Sequence, residues 1–237
     1  MDFKNGIDIS IPYRTSPKAT SAWYVGPMQI DPVRMGEWVG SVKEGGSVNF
    51  RDVKLNPHGN GTHTECVGHI APECHSVNQY LKRWMFDALL VTIQPVKQGE
   101  DLVVTREQLL DAIGDERPEA LVLRTLPNSD EKLEHNYSNT NPTYIEASGC
   151  AFLAEIGVDH FLLDLPSVDR EEDGGALAAH RAFWNYPENP RMHATITELI
   201  YVPDEVKDGK YLLNLQVAPI ENDASPSRPV LFLVNED

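Results

Sequence analysis

Three short apolar runs, separated by stretches of helical pattern, constrain the fold of this chain more than any other feature. They are "DALLVTIQPV" (87–96), "EALVLRTLP" (119–127) and "DHFLLDLPSV" (159–168). Each is rich in Val, Leu or Ile and bounded by an acidic residue and proline, which predicts a buried strand rather than a helix. The segments between them read differently. "TREQLLDAI" places Thr105 before a helical pattern with Gln108 three residues later, a capping-box signature. "TYIEASGCAFLAEIG" has helical spacing and stops at Gly157, and "GGALAAHRAFW" is helical after two glycines. "ATITELIYV" and "YLLNLQVAPI" add late strands, and the early half, with "GIDISIPY" and "GGSVNFRDVKL", alternates as strands do. The mixture predicts an α/β fold. No repeat, low-complexity tract or break in composition interrupts it, so one domain is expected over residues 1–237.

Charge and cysteine usage narrow the function classes. A net charge of −16 argues against nucleic acid or an anionic membrane as partner, since both require clustered Lys and Arg. No apolar run approaches the roughly 20 residues that span a bilayer. The start, "MDFKNGIDIS", lacks the basic and apolar regions of a signal peptide. Three cysteines, an odd number with no CxxC pair, suggest a reduced, cytoplasmic protein without a zinc ribbon.

Chemistry concentrates in Asn56–Ile70, "NPHGNGTHTECVGHI", which holds three histidines, one glutamate and one cysteine among three glycines. Histidine and carboxylate bind divalent first-row metals, and glycine lets the backbone turn sharply to bring such ligands together. His63 and Glu65, two apart, share a face of an extended segment. Glu65 and His69, four apart, would meet on a helical turn. A catalytic site needs further ligands from elsewhere in the chain, and a polar loop of solvated histidines has the same local composition. Cys66 is a poor nucleophile candidate, because neighbouring carboxylates disfavour the thiolate.

The motif "GTHTECVGH" resembles the core of the cyclase family that includes bacterial kynurenine formamidases. Further blocks resemble that family in the same order: "ISIPY", "LVLRTLPN", "EASGCAFLAEIGVDHFLLDLPSVD", "AAHRAFW", "ITELIYV" and "SPSRPVLFLV". The resemblance implies a swivelling β/β/α fold with a mixed central sheet. It implies that His63, Glu65, His180 and Glu198 hold one or two divalent ions, zinc or manganese, with His69 as general acid/base. Trp23 would line the substrate pocket, and Trp184 with Tyr186 would form an aromatic wall. Asp164 and Asp169 of "DLPSVD" would support loops or ligand histidines. The implied activity is hydrolysis of a small amide, led by an aryl formamide such as N-formylkynurenine, cleaved to kynurenine and formate. A homo-oligomer, dimer or tetramer, is implied by the same resemblance. The alternatives are a non-catalytic binding protein on this scaffold and a metal-dependent cyclase or dehydratase.

Two departures stand out. The family's first ligand histidine lies four residues before the "GTH" histidine; here that position is Gly59, and His58 precedes it. A bulge at Gly59 and Gly61 would let His58 join the ligands, with the Asn60 amide as a weaker substitute. The family's aspartate is Glu65 here, one methylene longer, which would offset a shifted backbone. The segment after His180 is also longer and contains His193, a secondary ligand candidate. His75, His135 and His160 match no family site and are expected at the surface or in packing.

Overall fold

The computed structural model describes residues 3–234. Its main sheet has nine strands: β1 (Ile7–Asp8), β2 (His63–Glu65), β3 (Met85–Ile93), β4 (Ala120–Thr125), β5 (His160–Leu163), β6 (Thr195–Glu198), β7 (Gly209–Asn214), β8 (Ala224–Pro226) and β9 (Val230–Leu233). Their order across the sheet is β1-β9-β7-β3-β4-β5-β6-β2-β8. The four central strands, β3 to β6, run parallel. The strands outside them pair antiparallel. The expected mixed α/β sheet is therefore present.

The continuous apolar runs are explained by burial on both faces. On β4, Leu121 and Leu123 enter one core, while Ala120 and Val122 enter the other. The first core is closed by α2 (Arg106–Ile113), α3 (Ala147–Glu155) and α4 (Ala178–Trp184), through Leu109, Phe152, Leu153 and Phe183. The second core lies under the antiparallel flank, with Ile9, Leu213, Leu215 and Leu231. The capping box forms as expected: Gln108 N–H donates to Thr105 Oγ1 at 3.3 Å, and Thr105 N–H to Gln108 Oε1 at 3.1 Å.

Two early expectations are reduced. "GIDISIPY" contributes only the two residues of β1, and "GGSVNFRDVKL" only Arg51–Lys54, an exposed strand paired with Gln29–Pro32. That second strand alternates in sequence, yet all four of its residues are exposed, so alternation alone did not mark a buried face.

Loss of the Thr105 cap should destabilise the fold modestly. Thr105→Ala is expected to cost about 1 kcal/mol, read as a lower urea midpoint with an unchanged slope. A midpoint equal to wild type would show that water replaces the cap.

Candidate metal centre

The site assembles on β2, which lies between β6 and β8 near one edge of the sheet. Alternation along β2 points His63 and Glu65 the same way, while Thr64 turns to the other face and pairs with Thr197 Oγ1 at 2.7 Å. The β2–β6 register sets Glu198 opposite His63, with 3.4 Å between His63 Nε2 and Glu198 Oε2. His63 Nδ1 donates to the Gly61 carbonyl at 3.1 Å, which leaves Nε2 as the nitrogen facing the site.

His180 comes from α4, and Asp169 holds it there. One Asp169 oxygen accepts the Ala179 N–H at 2.7 Å. The other accepts the His180 N–H at 3.1 Å and the ring Nδ1–H at 2.6 Å. The same carboxylate thus caps the helix and aims Nε2 at Glu65 Oε1, 3.1 Å away. Asp169 therefore takes the supporting position beside a histidine; Asp164 instead binds Thr125 and Lys132. Glu198 is steadied by the Val168 N–H, 3.2 Å from its Oε1.

His58 also reaches the cluster. It sits on α1 (Pro57–Asn60), a single turn capped by the Asn56 side chain. The expected bulge is thus a helical turn. A Cβ at Gly59 would lie 2.4 Å from Val25 Cγ2 and 2.8 Å from the Ala22 carbonyl, so no side chain fits there and the imidazole enters from the preceding residue. His58 Nδ1 lies 3.0 Å from Glu65 Oε2, and Nε2 lies 2.9 Å from Asp223 Oδ2. His69 ends a 3-10 turn (Val67–His69); its Nδ1 is 3.5 Å from Asp223 Oδ2 and 3.7 Å from Glu65 Oε2.

Among the described residues, two overlapping groups have the spacing of a metal site: His63, Glu65 and Glu198, and His58, Glu65 and His69, the ligand atoms of each lying within 4.8 Å of one another. Glu65 belongs to both. Two buried atoms of these groups, His63 Nε2 and Glu65 Oε2, lack a hydrogen bond; His58 Nδ1 lies 3.0 Å from the latter as an ion-pair contact. Orphaned buried polar atoms are costly, and a cation between them would satisfy both, so the residues fit a divalent metal.

The electrostatics agree. Burial pushes the His58 imidazole down, but Asp223 and Glu65 outweigh it and raise its pKa to about 10. His180 rises to about 10 in the same way, through Asp169 and Glu65 against burial. Burial opposes ionisation of Glu65, yet His69, His180 and His58 hold it well below the usual carboxylate range. Asp223 is likewise held low against burial by His58 and His69.

A cavity of about 340 Å³ opens onto these groups, with Trp23, His58, His69, His180 and Glu198 on its wall. Trp23 takes a left-handed backbone conformation (φ 58°), as does Leu177 on the same cavity wall (φ 48°). The structure does not bring Trp184 to this wall. Its ring is fully buried beneath His180, and its Nε1–H donates to the Ala194 carbonyl at 3.0 Å; an indole at the end of α4 fills the core behind His180. Tyr186 stacks under Arg181. His193 is 63% exposed and pairs with Asp159, away from the site. The Asn60 amide is spent on the Gly26 carbonyl and the Asn56 N–H. Cys66 is buried, its thiol pushed up to about 11 by burial. His160 packs against Phe86 and Thr195. The residue that sequence reasoning missed is Asp223. Its only signal is a carboxylate two residues before the closing "SPSRPVLFLV" segment.

With this geometry established, comparison with known proteins places the chain. The family model for cyclases, described as "Putative cyclase", matches residues 7–170. The chain belongs to that cyclase family. Among solved structures it resembles a potential metal-dependent hydrolase with cyclase activity, at TM-score 0.67 and 13% identity over 96% of this chain and 98% of that one. It also resembles isatin hydrolase A from Labrenzia aggregata bound to benzyl benzoate, at TM-score 0.66 and 12% identity, covering 96% and 93% of the two chains. A third is an isatin hydrolase bound to the product analogue thioisatinate, at TM-score 0.65 and 12% identity, covering 97% and 92%. At such identities the likeness establishes the shared fold. No curated protein sequence matches the chain.

Metal uptake should be proton-linked. A metal takes the neutral imidazole, so filling the site displaces protons from His58 and His180. Affinity for zinc or manganese should rise with pH and fall on acidification, releasing on the order of two protons per site filled at neutral pH. Calorimetric titration in buffers of different ionisation enthalpy measures the release. Uptake with no proton release would show that these histidines stay outside the ligand set.

Proposed function

We propose that this protein is a metal-dependent hydrolase of a small amide, with an aryl formamide such as N-formylkynurenine as leading substrate. The observation that carries this reading is the pair of orphaned ligand atoms, His63 Nε2 and Glu65 Oε2, buried among histidines and carboxylates beside an open cavity. The similarity to isatin hydrolases supports it, since isatin is itself a cyclic amide fused to an aryl ring.

His63, Glu65, His180 and Glu198 would hold the metal, with His58 completing the set, and a histidine–carboxylate shell suits zinc or manganese. The bound ion supplies Lewis acidity, acidifying water and polarising an amide carbonyl. The remaining work falls to the chain. His69 is 31% exposed on the cavity wall, placed to carry a proton from the nucleophile to the leaving amine. Trp23 offers an aryl ring a flat apolar wall. Glu65, ionised and buried, keeps its charge within the ligand cluster.

The chain is also proposed to work as a homo-oligomer, dimer or tetramer. Met35, Val42, Val48, Phe50 and Val53 are all more than half exposed on the hairpin segment 29–54, and apolar groups gathered in this way favour a second copy of the chain.

The test strips the protein with chelator, reloads it with zinc or manganese, and offers N-formylkynurenine, formanilide and isatin. Turnover is expected only in the loaded protein. His69→Ala should lower it by about 10²–10⁴-fold while retaining the metal. Loaded protein that cleaves none of the three overturns the reading. A His69→Ala protein that fails to retain the metal, its rate falling with its metal content, would make His69 a ligand, the role its grouping with His58 and Glu65 permits. Light scattering tests the assembly: a mass two or four times that of the chain is expected, and a monomer at micromolar concentration refutes it.

A further inference from the structure

Asp223 has no counterpart among the residues that the sequence points to, yet it makes the shortest polar contact of the His58 ring. Its Oδ2 lies 2.9 Å from His58 Nε2, while His58 Nδ1 faces Glu65 Oε2 at 3.0 Å. An imidazole that donates from one nitrogen presents the lone pair of the other. The ring is therefore poised to donate from Nε2 and to offer Nδ1 to whatever Glu65 binds. His63 and His180 stand the opposite way round, with Nδ1 donating to Gly61 and Asp169 and Nε2 facing the site.

The chain around Asp223 is fixed on both sides. The Asp223 carbonyl accepts the Cys66 N–H at 3.0 Å, and the Asn222 carbonyl accepts the Val77 N–H at 3.0 Å. β8 follows at once, its Ala224 in register with Glu65. The carboxylate is thus carried by backbone that is itself bonded to the strand bearing the ligands, and its side chain is 25% exposed. It stands 165 residues from His58 in sequence.

We propose that Asp223 is the positioning residue that makes the out-of-register His58 a metal ligand through Nδ1. The need for it follows from Gly59. Ala22 and Val25 leave no room for a side chain at that position, so the imidazole enters from one residue earlier, on a helical turn, and presents its other nitrogen. A ring entering that way needs an acceptor on its far side, and Asp223 provides it. The same oxygen lies 3.5 Å from His69 Nδ1.

This inference rests on the metal-centre reading above, and the test separates the two. Full-length wild type, Asp223→Ala, Asp223→Asn, His58→Ala and the Asp223→Ala/His58→Ala double variant are titrated with zinc against a competing chelator, with thermal melts as a check on folding. Asp223→Ala is expected to weaken zinc binding by about 10–100-fold, the usual loss on removing a partner of a ligand histidine. Asp223→Asn, which keeps an acceptor oxygen, should recover part of that loss. The double variant should bind no more weakly than His58→Ala alone, because Asp223 acts through His58. In zinc-loaded ¹⁵N-labelled wild type, long-range nitrogen–proton correlation should report the metal on His58 Nδ1 and a proton on Nε2. Zinc affinity within threefold of wild type in folded Asp223→Ala, additive losses in the double variant, or metal on Nε2 would each overturn the inference while leaving the metal centre standing. Wild type that binds no zinc overturns both.

Discussion

The site depends on one buried carboxylate. Glu65 has no exposed surface, and burying an isolated charge of that kind costs several kcal/mol even after relaxation. It is kept ionised by imidazoles from three directions: His58 on the one-turn helix before it, His69 on the turn after it, and His180 on a helix more than a hundred residues away. The histidines are held in turn by carboxylates of their own, Asp223 and Asp169. The cluster is an alternating shell of acid and base, and each removal leaves an uncompensated partner. That arrangement accounts for both the raised imidazoles and the depressed carboxylates. It also aims these nitrogen and oxygen atoms at one another.

Asp169 shows how the fold lends rigidity to this shell. Its two oxygens tie the start of α4 and the His180 ring together. The helix is only seven residues long, too short to stand alone, and its stability comes from Phe183 and Trp184 in the core. Trp184 therefore serves the site from behind, as packing against His180. Backbone in the left-handed region gathers close by, at Trp23, Leu177 and Leu199. For residues with a Cβ such conformations are unfavourable and persist only where surrounding contacts enforce them. Leu199 immediately follows Glu198, and its carbonyl accepts the Thr62 hydroxyl, which ties the end of β6 to the residue before β2.

His58 and Glu65, the two positions that depart from the resembled motif, meet in the cluster. Gly59 is confined by Ala22 and Val25, so His58 supplies the imidazole from one residue earlier. Glu65, longer than an aspartate, reaches the nitrogen that His58 presents. The displaced histidine therefore remains part of the cluster. A lost site would have left it turned to solvent.

Local chemistry made much of the molecule legible in the sequence. Apolar runs bounded by an acidic residue and Pro became β3, β4 and β5; Thr105 and Gln108 formed their reciprocal cap; and the two-residue spacing of His63 and Glu65 put both on one face of β2. These follow from backbone periodicity and neighbouring side chains, which the sequence states directly. Other features were decided only by the tertiary structure. His193 sits in the same stretch as Glu198 yet lies outside the site, because it precedes β6 and pairs with Asp159. Trp184 adjoins His180 in the helical pattern yet faces the core. Asp223 enters the site because β8 pairs with β2 in a register that sets Ala224 against Glu65. Strand register and helix rotation come from packing across the whole sheet, and a one-residue shift along a strand turns its side chains to the opposite face. The ligand types can be read along the chain, whereas which carboxylate meets which imidazole is determined by contacts between distant segments.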